Sequence, residues 1–151
     1  MLDINKLKQL RNETGISIAL CKKALEETSG DLKKAKNLLN KWGIEKNSDK
    51  NQRTTSQGSI FSYIHHNGKI AGFVELLSET DFVSNNADFQ KLGKEITLQV
   101  ASLPAKTAGQ LLKQDYIRDP GKKISDLINE AVLKFGENIK IGKILRWELG
   151  K

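Results

Sequence analysis

The sequence predicts an α+β protein in which an N-terminal module of three helices is joined by a linker to a small antiparallel sheet packed with helices. Three observations predict this fold class. Apolar side chains recur at helical spacing in residues 1–45, no aliphatic residue occurs in residues 46–57, and residues 59–77 alternate like paired strands. The predicted units are therefore the module 1–45, the linker 46–57 and the core 58–151.

Each helix of the N-terminal module has its own boundary signals. Asp3 can cap the first helix, which should end at Thr14-Gly15, and Ser17 can cap the second. The third helix is expected to run from Leu32 to Gly43. The apolar positions that define the three helices are Ile4, Leu7 and Leu10, then Leu20, Cys21, Ala24 and Leu25, then Leu32, Ala35, Leu38, Leu39 and Trp42. Three helices of this length form a small bundle, typical of an attachment module.

The segment "KNSDKNQRTTSQG" has no side chain able to join an apolar core, so it is interpreted as a linker or as a frayed helix. The next segment, "SIFSYIHHNGKIAGFVELL", alternates on both sides of Asn67-Gly68. Asn-Gly favours a tight hairpin because both central positions of such a turn require a positive φ. Two antiparallel strands are predicted, over residues 59–65 and 69–77.

The last seventy residues predict two helices and a final strand. Asn86 is expected to cap a helix that Pro104 closes, and a second amphipathic helix should end at Gly136. Between them, residues 105–116 are expected to be partly helical and residues 119–121 to form a turn. The odd-numbered residues of the final segment predict a strand with one apolar face, interrupted only by Lys143: they are Ile139, Ile141, Leu145, Trp147 and Leu149.

Composition limits the kind of protein. The 151 residues carry a net charge of +7 and a single cysteine, which excludes an internal disulfide framework and favours a reducing compartment. No apolar run approaches the ~18 residues of a membrane span, so a cytoplasmic protein is expected. The basic charge is mostly Lys scattered among acids, with few aromatic residues, which favours a solvated surface over a nucleic-acid interface.

Residues that could carry catalysis are few. His65 and His66 adjoin a hairpin turn, where alternation should place them on opposite faces, and no further ligand completes a metal site. Cys21 lies on an apolar helical stripe and is predicted to be buried. No nucleophile can be paired with a base, and the glycines of the hairpin do not form a phosphate loop. The sequence therefore predicts a protein that is not an enzyme, with no catalytic residue, metal or cofactor.

The stretch "SETDFVSNNADF" places an acid beside a large aromatic in a loop. One interpretation is structural: Asp81 caps a turn and Phe82 folds back over the following helix. The other is functional: the pair is offered to a partner protein, since aromatic anchors fill pockets at interfaces. Residue chemistry leaves both interpretations open.

Two long segments resemble the elongation factor Ts family. They are "LKQLRNETGISIALCKKALEETSGDLKKAKNLLNKWG" and "GSIFSYIHHNGKIAGFVELLSETDFVSNNADFQKL", which includes a Glu-Thr-Asp-Phe-Val signature. The shorter segments "LLKQDYIRDP" and "GENIKIGKILRWELG" are similar to the C-terminal part of the same family. The segments follow the family order and cover most of the chain.

The resemblance implies a guanine-nucleotide exchange factor for elongation factor Tu. It implies that the three helices form a ubiquitin-associated-like docking module that binds the GTPase domain. The matching docking positions are Lys8, Arg11, Ile18 and Ala19.

The family signature implies the role of the aromatic loop. Thr80, Asp81, Phe82 and Val83 would form a wedge that displaces the switch region and the Mg²⁺ site of the GTPase, so that GDP is released without covalent chemistry.

One segment of the family is missing from this chain. Between "ASLPAK" and "TAGQLLKQDY" relatives carry a long stretch that is absent here, so the core is interpreted as a shortened form of the family's dimerisation-type core. A homodimer would recover the lost surface. Two alternatives stay open: an RNA-binding or replication-associated protein that kept the fold, and an adaptor that holds elongation factor Tu without accelerating exchange.

Overall fold

A computed structural model describes residues 2–151, so Met1 of the predicted docking module lies outside the described residues. The elements are α1 (Ile4–Thr14), α2 (Ile18–Glu27), α3 (Leu32–Lys50), β1 (Gln57–Ile64), β2 (Ile70–Ser78), α4 (Asp81–Ser84), α5 (Ala87–Ser102), α6 (Ala108–Lys113), β3 (Asp115–Tyr116), β4 (Asp119–Lys123), α7 (Ile124–Phe135) and β5 (Lys140–Glu148). Helices at the N-terminus precede a small antiparallel sheet packed with helices, which confirms the α+β class.

The caps of the first helices are confirmed. The Asp3 carboxylate accepts a hydrogen bond from the backbone N–H of Asn5 at 2.9 Å, and Gly15 ends α1 with a φ of +67°. The hydroxyl of Ser17 accepts from the N–H of Leu20 at the start of α2. The helices share a core of buried residues that consists of Leu10, Ile16, Cys21, Ala24, Leu25, Ala35 and Leu39.

The third helix is longer than predicted, because α3 continues past Gly43 to Lys50. Gly43 lies against α7, where a Cβ atom would come 2.7 Å from the carbonyl oxygen of Asn129. The helix continues because this close packing, and a 2.7 Å hydrogen bond from the amide of Asn47 to that of Asn129, hold its second half against the core. Leu133 of α7 completes the N-terminal core. The division of the chain into separate units stays a prediction.

The hairpin is confirmed, and its strands pair from Gln57 opposite Ser78 to Ile64 opposite Ala71. The turn differs from the predicted type. Gly68 has a φ of +71°, as that turn requires. The φ of Asn67 is not positive, because Ser29 is the one residue other than glycine in the described chain with a positive φ. Asn67 instead accepts a hydrogen bond from the N–H of Lys69 through its side chain, at 3.0 Å, which stabilises a wider turn.

The three-stranded sheet has the order β1-β2-β5, and α5 and α7 form the helical side of the core. The Asn86 cap of α5 and the left-handed Gly136 after α7 are as predicted. The hydrophobic cluster of the core includes the fully buried residues Val74, Leu76, Phe89, Ile96, Val100, Leu111, Ile124, Val132 and Ile139. Two polar residues of α5, Thr97 and Gln99, are buried as well.

The predicted turn over residues 119–121 is wrong. Asp119 begins β4, which pairs with β3 so that Tyr116 lies opposite Asp119, and the chain turns before that point, at Ile117-Arg118. Pro120 is compatible with this short two-stranded ribbon because an edge strand can lack a backbone donor.

The alternation of β5 is interrupted by a β-bulge, so the prediction of one continuous apolar face is wrong. Ile141 pairs with Leu76 and Ile144 pairs with Val74, which leaves Gly142 and Lys143 together opposite a single residue. The extra residue reverses the direction of the side chains that follow. Ile141 and Ile144 pack on the core, whereas three of the predicted apolar positions are exposed on the other side: Leu145, Trp147 and Leu149.

Candidate protein-contact site

Phe82 is the most exposed large apolar residue in the described chain, with 87% of its surface accessible. It lies in α4, the single helical turn that follows β2. The cap of this turn is Thr80, whose hydroxyl accepts from the N–H of Val83 at 3.4 Å. Phe82 therefore does not fold back over the next helix, and Asp81 is not the cap. The structural interpretation of this pair is wrong.

The inner side of the same turn is anchored in the core. Val83 packs against the core cluster and Ser84 is buried. The carbonyl oxygen of Ser84 accepts from the side-chain amide of Gln90 at 2.7 Å, and the hydroxyl of Ser78 donates to the carbonyl of Thr80 at 2.9 Å. The outer residues of the turn, Asp81 and Phe82, are therefore exposed, while its inner residues are fixed against the core.

The predicted docking residues are all exposed: Lys8, Arg11, Ile18 and Ala19. Arg11 lies in the last turn of α1, while Ile18 and Ala19 begin α2, so these three residues lie on the two sides of the turn at Gly15. None of the four is needed for the N-terminal core, and all are accessible to a partner.

An open cleft of about 760 Å³ lies between the N-terminal helices and the core. The residues that line it include Arg11 and Gly15 at the C-terminal end of α1 and Asp88 at the start of α5. In sequence, Asp88 follows Phe82 by six residues. Lys134 of α7 spans the two walls, because its ammonium group pairs with Asp88 and its side chain lies against Gly15. Among the predicted docking residues Arg11 lines this cleft, whereas Lys8, Ile18, Ala19 and the exposed Phe82 do not.

The two histidines are not on opposite faces as expected. Their ring centroids are 4.1 Å apart, because β1 ends at Ile64 and both residues already belong to the turn. The His65 ring nitrogen Nδ1 is hydrogen-bonded to the Tyr63 hydroxyl at 3.0 Å. No group of three His, Cys, Asp or Glu side chains within residues 2–151 has the geometry of a metal site.

Two groups, Cys21 and Tyr116, have raised pKa values. Cys21 is buried, as predicted, and its burial raises the pKa of its thiol. Burial first, and then a 2.9 Å hydrogen bond from its hydroxyl to Glu95, raise the pKa of Tyr116 to about 12. Arg118 pairs with the same Glu95 carboxylate at 3.0 Å. Neither group is poised to react near neutral pH, since a thiol or a phenol reacts as its anion.

Sequence reasoning missed one contact of the exposed turn. The carboxylate of Glu137, in the loop between α7 and β5, accepts a 2.7 Å hydrogen bond from the hydroxyl of Thr80. Glu137 is separated from Thr80 by 57 positions, so no local pattern connects them. The one available signal was the segment "GENIKIGKILRWELG", in which this glutamate precedes the final strand, which begins at Lys140.

None of the helices in residues 2–151 is both long and apolar enough to cross a membrane. An exposed aromatic on an anchored turn, beside a helical module with exposed residues of its own, is the arrangement of a protein that acts through contact with another protein. That class fits the comparisons with known proteins.

A family model described as Elongation factor TS matches residues 79–151. Elongation factor Ts of Coprothermobacter proteolyticus is 37% identical over 190 positions, which cover 96% of each chain. The proteins of the same name from Leptospira biflexa and Thermosipho melanesiensis are 36% and 33% identical, over 96% and 100% of each chain. The chain belongs to the elongation factor Ts family. Its role is that of a nucleotide-exchange factor for elongation factor Tu in translation elongation, and the RNA-binding or replication alternative is not favoured.

The alignment lengths show that the chain is a short member of the family. Since 96% of 151 residues is about 145, an alignment of 190 positions leaves about 45 at which this chain has no residue. In the structure α5 and α6 are joined by residues 103–107 alone, and the position of the missing segment at this point stays a prediction.

Proposed function

We propose that the chain releases GDP from elongation factor Tu by inserting Phe82 and Asp81 beside the switch region and the Mg²⁺ site of the GTPase, without catalysing a covalent step. The observation that carries this proposal is the 87% exposure of Phe82 on a turn whose base is anchored. An apolar ring in that position is costly in water and is available to a pocket on a partner. The cytoplasm, where translation takes place, remains our prediction for its location.

The energetic basis is reciprocal coupling. If the chain binds more tightly to the GTPase when its switch region is displaced, GDP binding must weaken by the same factor. Full burial of a phenylalanine side chain contributes roughly 1.5–3 kcal/mol. If all of that energy stabilises the complex in which the switch region is displaced, GDP binding weakens by roughly ten- to hundred-fold. A carboxylate beside the Mg²⁺ site would add to this by competing for the coordination of the ion.

The docking module supplies the affinity that the wedge lacks. We propose that Lys8, Arg11, Ile18 and Ala19 contact the GTPase domain, which raises the effective concentration of Phe82 at its target. The cleft that Arg11 lines reaches Asp88 at the start of α5, the helix that follows the turn carrying Phe82, which supports this division of labour.

The decisive measurement is release of fluorescent GDP from elongation factor Tu. Phe82→Ala should melt within a few degrees of the unaltered protein and lose most of the acceleration, because the exposed ring contributes little to the core. Ile117→Ala is a matched control, since Ile117 is also an exposed apolar residue, 47% accessible, in a turn away from α4. A folded Phe82→Ala protein with full acceleration would refute the wedge.

Two simple measurements distinguish nucleotide exchange from the adaptor and from the RNA-binding alternative, which is not favoured. An adaptor that holds elongation factor Tu would bind it without changing the rate of GDP release. RNA binding would instead weaken steeply with salt, whereas the packing of an aromatic wedge should depend on salt only slightly.

We further propose that two copies of the chain associate through the outer face of the sheet. Helices cover the inner face, but the outer face carries an apolar patch that consists of the exposed Ile60, Ile64, Leu145 and Trp147 and the partly buried Phe73. Ile60 is 75% exposed and Trp147 62% exposed. A second copy suits this patch because a two-fold axis would place the same apolar residues on both sides of a sheet-on-sheet contact.

Light scattering at micromolar concentration tests this association. A mass near twice 16.9 kDa is expected, and Trp147→Lys should return the protein to the monomer. A monomer of 16.9 kDa for the unaltered protein would refute the dimer.

A further inference from the structure

We propose that Glu137 is a positioning residue for nucleotide exchange: its carboxylate holds the turn that presents Phe82. This inference rests on the proposed role of Phe82 as a wedge. Glu137 lies outside the family signature and far from it in sequence, and its side chain does not itself reach the exposed face of the turn.

The carboxylate of Glu137 accepts three hydrogen bonds from the start of the turn. Its Oε1 atom accepts from the backbone N–H of Glu79 at 3.2 Å and from that of Thr80 at 3.1 Å. Its Oε2 atom accepts from the hydroxyl of Thr80 at 2.7 Å. An ionised carboxylate is suited to this site because it is acceptor-only and can serve several donors at once.

The contact is reciprocal. The carboxylate of Glu79 accepts from the backbone N–H of Asn138 at 2.6 Å, and the Asn138 side-chain amide donates to the carbonyl of Arg53 at 2.7 Å. Each glutamate thus binds the backbone of the segment that carries the other. The end of β2 and the loop before β5 are joined in both directions, although they are distant in sequence.

Glu137 also determines how Thr80 caps the turn. The Thr80 hydroxyl donates its proton to Glu137 and accepts from the N–H of Val83. Because a hydroxyl has one proton, its donation to the carboxylate leaves the oxygen lone pairs free for the cap. Loss of Glu137 would free the hydroxyl to rotate and would leave the N–H groups of Glu79 and Thr80 without this acceptor.

The orientation of Phe82 depends on this backbone. With 87% of its surface exposed, the ring has few contacts that could hold it in place. The far end of the turn is held by Val83 in the core and by Gln90 on Ser84. At the near end Glu137 holds the Thr80 hydroxyl and two backbone N–H groups, beside the bond from the Ser78 hydroxyl to the Thr80 carbonyl. A wedge held in its binding geometry avoids the ordering cost that a mobile loop would meet on insertion.

The experiment uses the full-length chain with Glu137→Gln and Glu137→Ala, and Glu45→Gln as a charge-matched control on the exposed side of α3. In titrations of fluorescent-GDP release, we expect the maximal rate to fall roughly ten-fold for Glu137→Ala and less for Glu137→Gln, which keeps one acceptor. The concentration for half-maximal effect should change little, because docking residues are untouched. Glu45→Gln should match the unaltered protein in both quantities.

Two further readouts separate positioning from general destabilisation. In hydrogen–deuterium exchange, the N–H groups of Glu79 and Thr80 should lose protection in Glu137→Ala, while the N–H groups in the middle of α5 keep theirs. In a background that carries both Asp81→Ala and Phe82→Ala, Glu137→Ala should produce no further fall in the maximal rate, because Glu137 acts only through the two residues that the turn presents.

The outcomes are distinguishable. Full acceleration by Glu137→Ala, with Phe82→Ala inactive, would overturn the positioning role and leave the wedge intact. A further fall in the background that carries both Asp81→Ala and Phe82→Ala, or uniform loss of protection including α5, would also overturn it. Should Glu137→Ala not fold, the same criteria apply to Glu137→Gln. Full acceleration by Phe82→Ala would instead refute the proposed function itself.

Discussion

The ring of Phe61 in β1 lies directly against the bare Cα of Gly93 in α5, so closely that a methyl group on Gly93 would overlap the ring. This contact sets the spacing between the sheet and α5, since both residues are buried. Phe61 also meets Phe89 of the same helix, with ring centroids 6.4 Å apart. Helix α5, which follows the turn that carries Phe82, therefore packs closely against the sheet at Gly93.

Gly93→Ala should destabilise the protein by about 1–3 kcal/mol, because overpacking forces either the Phe61 ring or α5 to move. Gly109→Ala is the matched control: the nearest atom to a Cβ there, the Thr107 hydroxyl oxygen, is 3.8 Å away, so the change should stabilise α6 by about 0.4–1 kcal/mol. Urea unfolding curves measure both. Equal effects of the two substitutions would contradict the packing described here.

Tyr116 should titrate far above its ordinary pKa of 10, at about 12, because of its burial and its bond to Glu95. Between about pH 10 and 12 the folded chain keeps a proton that the unfolded chain has lost. Its contribution to stability is therefore complete below pH 10 and is lost as the pH rises toward 12.

Tyrosinate absorbance of a Tyr63→Phe protein measures the pKa of Tyr116 directly. The chain has two tyrosines, so Tyr116 is the one that is left in this variant. Glu95→Gln should lower the pKa of Tyr116 but leave it above 10, because burial is the larger cause. A midpoint near 10 in the folded Tyr63→Phe protein would disprove the burial of the hydroxyl.

Docking and wedge insertion should respond to different substitutions. Ile18→Ser is expected to raise the half-saturating concentration in GDP release by about three- to ten-fold, through loss of apolar contact, without lowering the maximal rate. Ile44→Ser is the control, since Ile44 is 49% exposed in α3, close to the 53% of Ile18. Substitution is preferable to removal of residues 1–45, which would cut α3 and uncover Leu133. A fall in the maximal rate with an unchanged half-saturating concentration would contradict the assignment.

Cys21 should resist alkylation in the folded protein, because its thiol is buried and the pKa is raised by that burial. In urea, alkylation of Cys21 should become faster at the same concentrations at which the core unfolds. The reason is that α3 packs on α7 and links the two hydrophobic clusters. Alkylation at urea concentrations that leave the core signal unchanged would show that the N-terminal helices open alone.

Features that depend on neighbouring residues could be predicted from the sequence. The caps at Asp3, Ser17 and Asn86 and the left-handed end at Gly136 are formed by contacts within a few residues. The alternation around Gly68 likewise predicted β1 and β2. The exposed Asp81-Phe82 pair was recognised as a candidate by its signature, but residue chemistry did not decide between a buried and an exposed ring.

By itself, then, the sequence determined the class of fold, most helix boundaries and the family, because caps, periodicity and motifs are local properties of the chain. Tertiary structure alone decided three things: that α3 passes through Gly43, that β5 reverses its faces at Gly142-Lys143, and that Phe82 is exposed on a turn held by Glu137. Each depends on a contact between residues far apart in sequence, with Asn129, Glu75 and Thr80 as the partners. Such contacts have no local signal, since their energy exists only when the core brings the two segments together.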